Sequence, residues 1–124
     1  MTNNEEKLKL MIVEDCPDIR EVLHDALSED YEVVLPLSEE EVIYFFKQTS
    51  PRFVVLDYML WDGCRGDQLL RFMKDINPQV IVIMHTSWQE RGFKEKLLKQ
   101  GAHRFVEKRG DSISELRMIL REAA

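Results

Sequence analysis

Cysteine is nearly absent from this chain, with two among 124 residues, and the pair Cys16 and Cys64 fits no zinc-ligand spacing. A disulfide framework or a structural zinc site is therefore excluded as the organising principle, and in a reducing compartment both are expected to stay thiols. Long apolar runs are also missing. The longest, such as Val80–Met84, span only five or so residues, far short of a membrane-crossing helix. Met1 to Lys9 is polar and charged, without the apolar core of a secretory signal, so a cytoplasmic location is expected. Excess positive charge is lacking as well: the formal net charge is −6 and the basic residues are scattered, which disfavours direct binding to nucleic acid. No linker, low-complexity tract or repeat interrupts the chain.

What is present is the balance of a globular protein, 44% hydrophobic and 32% charged, in a length that suits one domain over 1–124 with a core of about 8–123. Leu8–Val13 and Phe53–Leu56 are apolar runs that stop abruptly at acids, Glu14-Asp15 and Asp57. Unbroken runs of this kind suit strands buried on both faces. Val80–Met84 is a third, stopping at His85-Thr86, and the weaker Tyr31–Leu35 and His103–Glu107 complete a set of five. Helical periodicity follows the strands: Ile19, Val22, Leu23, Ala26 and Leu27 after the first, with Pro17 suited to an opening turn, and Leu69, Phe72, Met73 and Ile76 after the third. Ser38–Glu41 and Ser112–Glu115 have capping-box spacing, and Gly101 is placed to terminate a helix. Five alternating βα units predict an α/β fold with a doubly wound parallel sheet.

In such a sheet ligands gather at the carboxyl ends of the strands. The residues there are Glu14, Asp15, Asp57, Thr86 and Lys108. Three carboxylates together repel unless a cation sits among them, and a hard divalent ion such as Mg²⁺ answers that need with oxygen ligands and retained waters. The metal and Lys108 would offset charge on a transferring phosphoryl group, and the Thr86 hydroxyl would donate to it.

Four segments carry a family resemblance: Met11-Ile-Val-Glu-Asp-Cys-Pro-Asp-Ile-Arg20, Val54-Val-Leu-Asp57, Ile81-Val-Ile-Met-His-Thr86 and Gly101-Ala-His-Arg-Phe-Val-Glu-Lys108. In order and spacing they resemble the successive signatures of response-regulator receiver domains, the chemotaxis-regulator-like family of two-component signalling. The resemblance implies a flavodoxin-like five-stranded sheet of order 2-1-3-4-5 with helices on both faces. It implies Asp57 as phosphoacceptor, taking its group from the phosphohistidine of a sensor histidine kinase or a phosphotransfer protein. Mg²⁺ would be held by Glu14, Asp15, Asp57 and the backbone carbonyl of Met59. Thr86 and Phe105 would form a switch pair and Lys108 would bind a phosphoryl oxygen. The readout face would be the fourth helix, fifth strand and fifth helix, roughly Trp88 to Glu122. Such a chain is a phosphoacceptor that assists its own reactions and not a conventional enzyme. Its partners would be the kinase, a downstream protein or a C-terminal effector domain, and a phosphorylation-dependent homodimer is a further possibility.

Three departures from the family pattern shape the expectations. Trp61 stands where the family usually has proline, in a loop to Gly66 that is one residue longer than common. Arg109 follows Lys108 in place of a cis proline, and because a cis bond there would cost about 2.5–4 kcal/mol a trans bond is expected. Met59 and Trp88 occupy places that flank the phosphoryl group in relatives, so the phospho-form is expected to last minutes or longer. Simpler readings stand beside these. Glu14-Asp15 suits a solvated turn, Thr86 a helix N-cap, Phe105 plain core, Lys108-Arg109 a surface basic pair, and Trp61 and Trp88 partner anchors. Other functions are a phosphate-independent pseudo-receiver and a soft-metal or redox site at His85, Cys16 and Cys64. A haloacid-dehalogenase-type phosphatase would want a second aspartate where Met59 stands, and a flavin carrier a phosphate-binding loop after the first strand.

Overall fold

The computed structural model describes residues 6–124; the first five residues of the polar N-terminal stretch lie outside them. Strands and helices alternate: β1 Lys9–Val13, α1 Pro17–Leu27, β2 Glu32–Val34, α2 Glu39–Thr49, β3 Phe53–Leu56, α3 Gly66–Ile76, β4 Ile81–Thr86, α4 Phe93–Lys99, β5 Arg104–Glu107 and α5 Ser112–Ala123. The strands pair in parallel in the order β2-β1-β3-β4-β5, as expected. No helix among the described residues is long and apolar enough to cross a membrane.

Strand alternation divides the core in two. Met11, Val13, Val54, Leu56, Val82 and Met84 pack with α2, α3 and α4 through residues such as Phe46, Leu70, Met73 and Leu97. The intervening Leu10, Ile12, Phe53, Val55, Ile83 and Val106 pack with α1 and α5 through Leu23, Leu27, Leu116 and Leu120. Period-two alternation with both sets apolar is what makes these strands read as continuous runs.

Helix ends follow their sequence signals in three places. Pro17 opens α1. Ser38 caps α2 by accepting from the Glu41 N–H at 3.1 Å, while Glu41 reaches back to the Leu37 N–H at 2.7 Å. Gly101, at φ +113°, ends α4 as Gly101 N–H and Ala102 N–H donate to the carbonyls of Leu98 and Leu97.

Two expectations are corrected. β4 does not stop at Met84 but runs through His85 to Thr86, because β5 continues to pair with it there, His85 with Val106 and Thr86 with Glu107. Thr86 is thus a strand residue and does not cap α4, whose N-cap is Gly92. The Ser112–Glu115 box does not form either: Asp111 holds the N-cap place of α5, and the Ser112 hydroxyl is drawn inward to His85.

Candidate functional site

Because the strands are parallel, their carboxyl ends share one edge of the sheet. Val13 pairs with Leu56, so Glu14 and Asp57 leave the sheet side by side, and the Asp57 N–H donates to the Val13 carbonyl at 3.1 Å. β1 is also where the strand order reverses, the position at which open sheets form a crevice. Beyond β5, the Lys108 N–H donates to the Thr86 carbonyl at 3.1 Å, carrying the strand pairing one residue further and pointing Lys108 across the same edge.

Lys108 Nζ lies 2.6 Å from Asp57 Oδ2 and 2.8 Å from Glu14 Oε1. Both acids are buried, at 6% and 2% exposure, so the amine neutralises charge that water cannot. Burial raises the Glu14 carboxyl above its ordinary value against the Lys108 hydrogen bond, and the Asp57 charge adds to the rise. For Lys108 burial works the other way, but hydrogen bonds to Asp57 and Glu14 outweigh it and the amine is held above its ordinary value. The backbone takes up the remaining acid oxygens: Tyr58 N–H donates to Asp57 Oδ1 at 2.7 Å and Cys16 N–H to Glu14 Oε2 at 3.2 Å.

Glu14, Asp15 and Asp57 each offer a carboxylate oxygen, all within 4.8 Å of one another. An all-oxygen, partly open cluster with surplus negative charge fits a hard divalent cation. Asp15 is only half buried and leaves the cluster open to water.

The segment after Asp57 folds into a compact turn. Met59 bridges Arg65, Leu60 N–H donates to the Cys64 carbonyl, Cys64 N–H to the Trp61 carbonyl, and Gly66 N–H to the Tyr58 carbonyl at 2.6 Å. This internal bonding, with Gly63 at φ +77°, accommodates the longer loop without proline. Trp61 packs partly against the core, whereas the Met59 side chain is half exposed. Gly66 itself opens α3 in direct contact with the backbone of Asp57 and Tyr58.

Thr86 is buried, and its hydroxyl accepts from the Trp88 N–H at 3.1 Å. Phe105 is half buried and meets Phe93 edge-on at 5.9 Å; Phe93 in turn meets Tyr58 at 4.6 Å, and Tyr58 lies 5.8 Å from Trp88. The peptide after Lys108 is trans, as are all those described, and the lysine nonetheless reaches Asp57.

A match to the response regulator receiver domain model spans residues 10–121. The chain belongs to the response-regulator receiver domain family. Receiver structures superpose on nearly all of it. The Francisella response regulator 1452 receiver domain has TM-score 0.84 and 19% identity over 94% of this chain and 96% of that one. The Thermotoga maritima CheB response regulator domain gives 0.82 and 24%, over 95% and 96%. NtrX from Brucella abortus gives 0.84 and 24%, with 94% of this chain matching 26% of that longer one. No curated protein matches the chain.

Against this receiver frame, sequence reasoning placed Glu14, Asp15, Asp57, Thr86 and Lys108 at one edge, and the structure brings them there. The same reasoning set His85 beside Cys16 and Cys64 and Ser112 in a capping box, and missed that these two side chains meet at 3.0 Å in a buried hydrogen bond. A lone histidine at a strand end carries no signal of a partner 27 residues away. Burial, reinforced by the nearby Lys108 charge, pushes the His85 ring down to about 4, so it is neutral at ordinary pH. The Cys64 thiol is pushed up to about 11 by burial and then by Glu39 and Asp15, which removes the thiolate a redox or soft-metal site needs.

The neutral His85 has a measurable consequence. Its folded value lies below the unfolded one near 6.5, so its contribution is complete above about pH 6.5 and lost as pH falls toward 4. Urea unfolding at pH 7 and pH 4.5 is expected to show wild type losing about 2 kcal/mol more than His85→Gln. Equal losses in the two proteins would remove His85 as the source.

Proposed function

We propose that this receiver accepts a phosphoryl group on Asp57 from the phosphohistidine of a sensor histidine kinase or phosphotransfer protein. An Asp57 carboxylate oxygen attacks phosphorus, and the P–N bond to the donor imidazole breaks. The observation that carries the reading is the buried Lys108–Asp57–Glu14 contact beside three clustered acid oxygens: a nucleophilic carboxylate with a fixed cation aimed at it. Lys108 is placed to hold a phosphoryl oxygen once the group arrives, and Thr86 to donate its hydroxyl to another. Glu14, Asp15, Asp57 and the Met59 carbonyl would hold Mg²⁺, which supplies positive charge against the phosphoryl oxygens. The chain thus assists its own modification and is no conventional enzyme.

Output follows at the face of α4, β5 and α5. Phe105 borders a cleft of about 320 Å³ there with Trp88, Phe93 and Lys94, and Phe93 joins this cleft to Tyr58 beside the acceptor. A change in the packing of this aromatic row alters what that surface presents to a downstream protein or effector domain. The setting proposed is cytoplasmic.

Beryllofluoride, a mimic of the acyl phosphate, tests the reading. With Mg²⁺ it is expected to give a saturable change in tryptophan fluorescence from Trp61 and Trp88, absent without Mg²⁺ and absent in Asp57→Asn. Calorimetry on the same samples checks for binding that fluorescence does not report. No binding by either method would replace the switch with a phosphate-independent protein-binding module.

A further inference from the structure

Lys108 must hold its amine within hydrogen-bond distance of two buried carboxylates, yet the segment that follows it is poorly held. Arg109, Gly110 and Asp111 are exposed. The Arg109 contacts, 3.6 Å to Glu107 and 3.8 Å to Asp111, join largely exposed groups, and such pairs contribute little. Nothing lies within 4 Å of where a Gly110 side chain would begin. Toward α1 the segment faces an open cleft of about 450 Å³ lined by Ile19, Val22 and Leu23, so that helix does not clamp it. The Asp111 side chain, at the N-cap of α5, makes no capping hydrogen bond.

The Ser112 N–H donates to the Arg109 carbonyl at 3.0 Å and closes the segment on itself, but among the described residues its hydrogen bonds to the sheet lie at its two ends, and both go to consecutive residues of β4. The Thr86 carbonyl accepts the Lys108 N–H, and the His85 ring bonds the Ser112 hydroxyl at 3.0 Å. His85 and Ser112 are 3% and 4% exposed, so breaking their bond would leave polar groups buried without partners. His85 Nδ1 has no partner among the described residues, which leaves Ser112 as the ring's one hydrogen-bond tie. Among the apolar side chains of α5, Ile113 packs against the core only partly buried, and the buried ones begin at Leu116, a full turn after Ser112, so they hold the helix more firmly than the point where the segment enters it.

We infer that His85 and Ser112 are positioning residues: their buried bond pins the far end of the 108–112 segment to β4 and so aims Lys108 at Asp57. This rests on the phosphoacceptor reading of Asp57. Neither side chain hydrogen-bonds Asp57 or Lys108, so both would act through where the segment places Lys108. Their loss should therefore affect phosphoryl binding, which uses the lysine, differently from Mg²⁺ binding, which uses the acids and competes with it.

The test measures two affinities on wild type, His85→Ala, Ser112→Ala, the double variant and His85→Gln: Mg²⁺ alone, and beryllofluoride at saturating Mg²⁺. Each single alanine variant is expected to weaken beryllofluoride about 10-fold while Mg²⁺ binds as in wild type or more tightly. The double variant should be no worse than the singles, because the pair acts as one bond. His85→Gln, which can still reach Ser112, should recover most of the loss. Three results would overturn the inference. Alanine variants that bind beryllofluoride like wild type but melt earlier would show a merely structural pair. A parallel loss of both affinities would show a site disrupted with the fold. Failure of wild type itself to bind beryllofluoride would remove the phosphoacceptor reading on which the inference stands.

Discussion

Replacing Lys108 by methionine is expected to slow phosphoryl uptake at Asp57 by about 100-fold or more and to cost the Mg²⁺-free protein about 2 kcal/mol. The two effects have one origin. Lys108 Nζ is the cation between Asp57 and Glu14, both nearly inaccessible to water. Methionine keeps the side-chain length and leaves two buried carboxylates facing each other. Removing one partner of a buried pair costs about 3–5 kcal/mol, and the residual 15% exposure of the lysine side chain argues for a value below that range. A doubly charged cation can replace the missing charge, so saturating Mg²⁺ should restore most of the stability. It should not restore the rate, because the positive charge aimed at the transferring group is still gone. Unfolding curves with and without Mg²⁺, together with phosphorylation from a small-molecule phosphodonor, separate these effects. A stability loss that Mg²⁺ leaves untouched would mean that Lys108 acts by packing and not by charge.

Gly66→Ala is expected to cost about 3 kcal/mol or more and to lower the melting temperature by about 10 °C. A β-carbon at this position would lie 2.1 Å from the Asp57 carbonyl oxygen and 2.9 Å from the Tyr58 α-carbon. Both neighbours are backbone, so neither can move aside as a flexible side chain would. Relief requires shifting α3 away or displacing Asp57, and the second route should also weaken beryllofluoride binding. Gly110→Ala is the control. It meets nothing within 4 Å and has no positive φ, so its melting temperature should stay within about 2 °C of wild type. A mild Gly66→Ala would mean that the α3 entrance yields easily.

The sheet was legible because each central strand is buried on both faces and ends at a polar residue. Leu56 followed by Asp57 marks both the end of β3 and the site, and the matching ends of β1 and β5 placed Glu14, Asp15 and Lys108 beside it. The weaker strands showed less: β2 covers only Glu32–Val34, narrower than the apolar run suggested. Contacts made across the chain stayed hidden. Ser112 precedes Glu115 at capping-box spacing, but the deciding partner is His85, 27 residues away, and a buried hydrogen bond outweighs a surface cap. Likewise, His85-Thr86 read as the end of a strand because polarity rises there, whereas pairing with β5 extends it. Gly66 read as the end of a loop; its close approach to the Asp57 carbonyl is a property of packing that no local pattern records.

The extension of β4 through Thr86 limits how that residue can move. Its carbonyl holds the Lys108 N–H, and its backbone pairs with Glu107, so the main chain at this point is anchored to the neighbouring strand. What remains free is rotation about a single bond, between the few staggered positions open to a β-branched side chain. The hydroxyl now holds the Trp88 amide. If it rotates toward Asp57, that amide loses its partner, and the release falls on residues 87–92, which belong to neither β4 nor α4. One torsion thus exchanges a local tether for a remote contact. Its signature would be a changed Thr86 methyl resonance and faster Trp88 amide exchange, with the strand amides around them still protected.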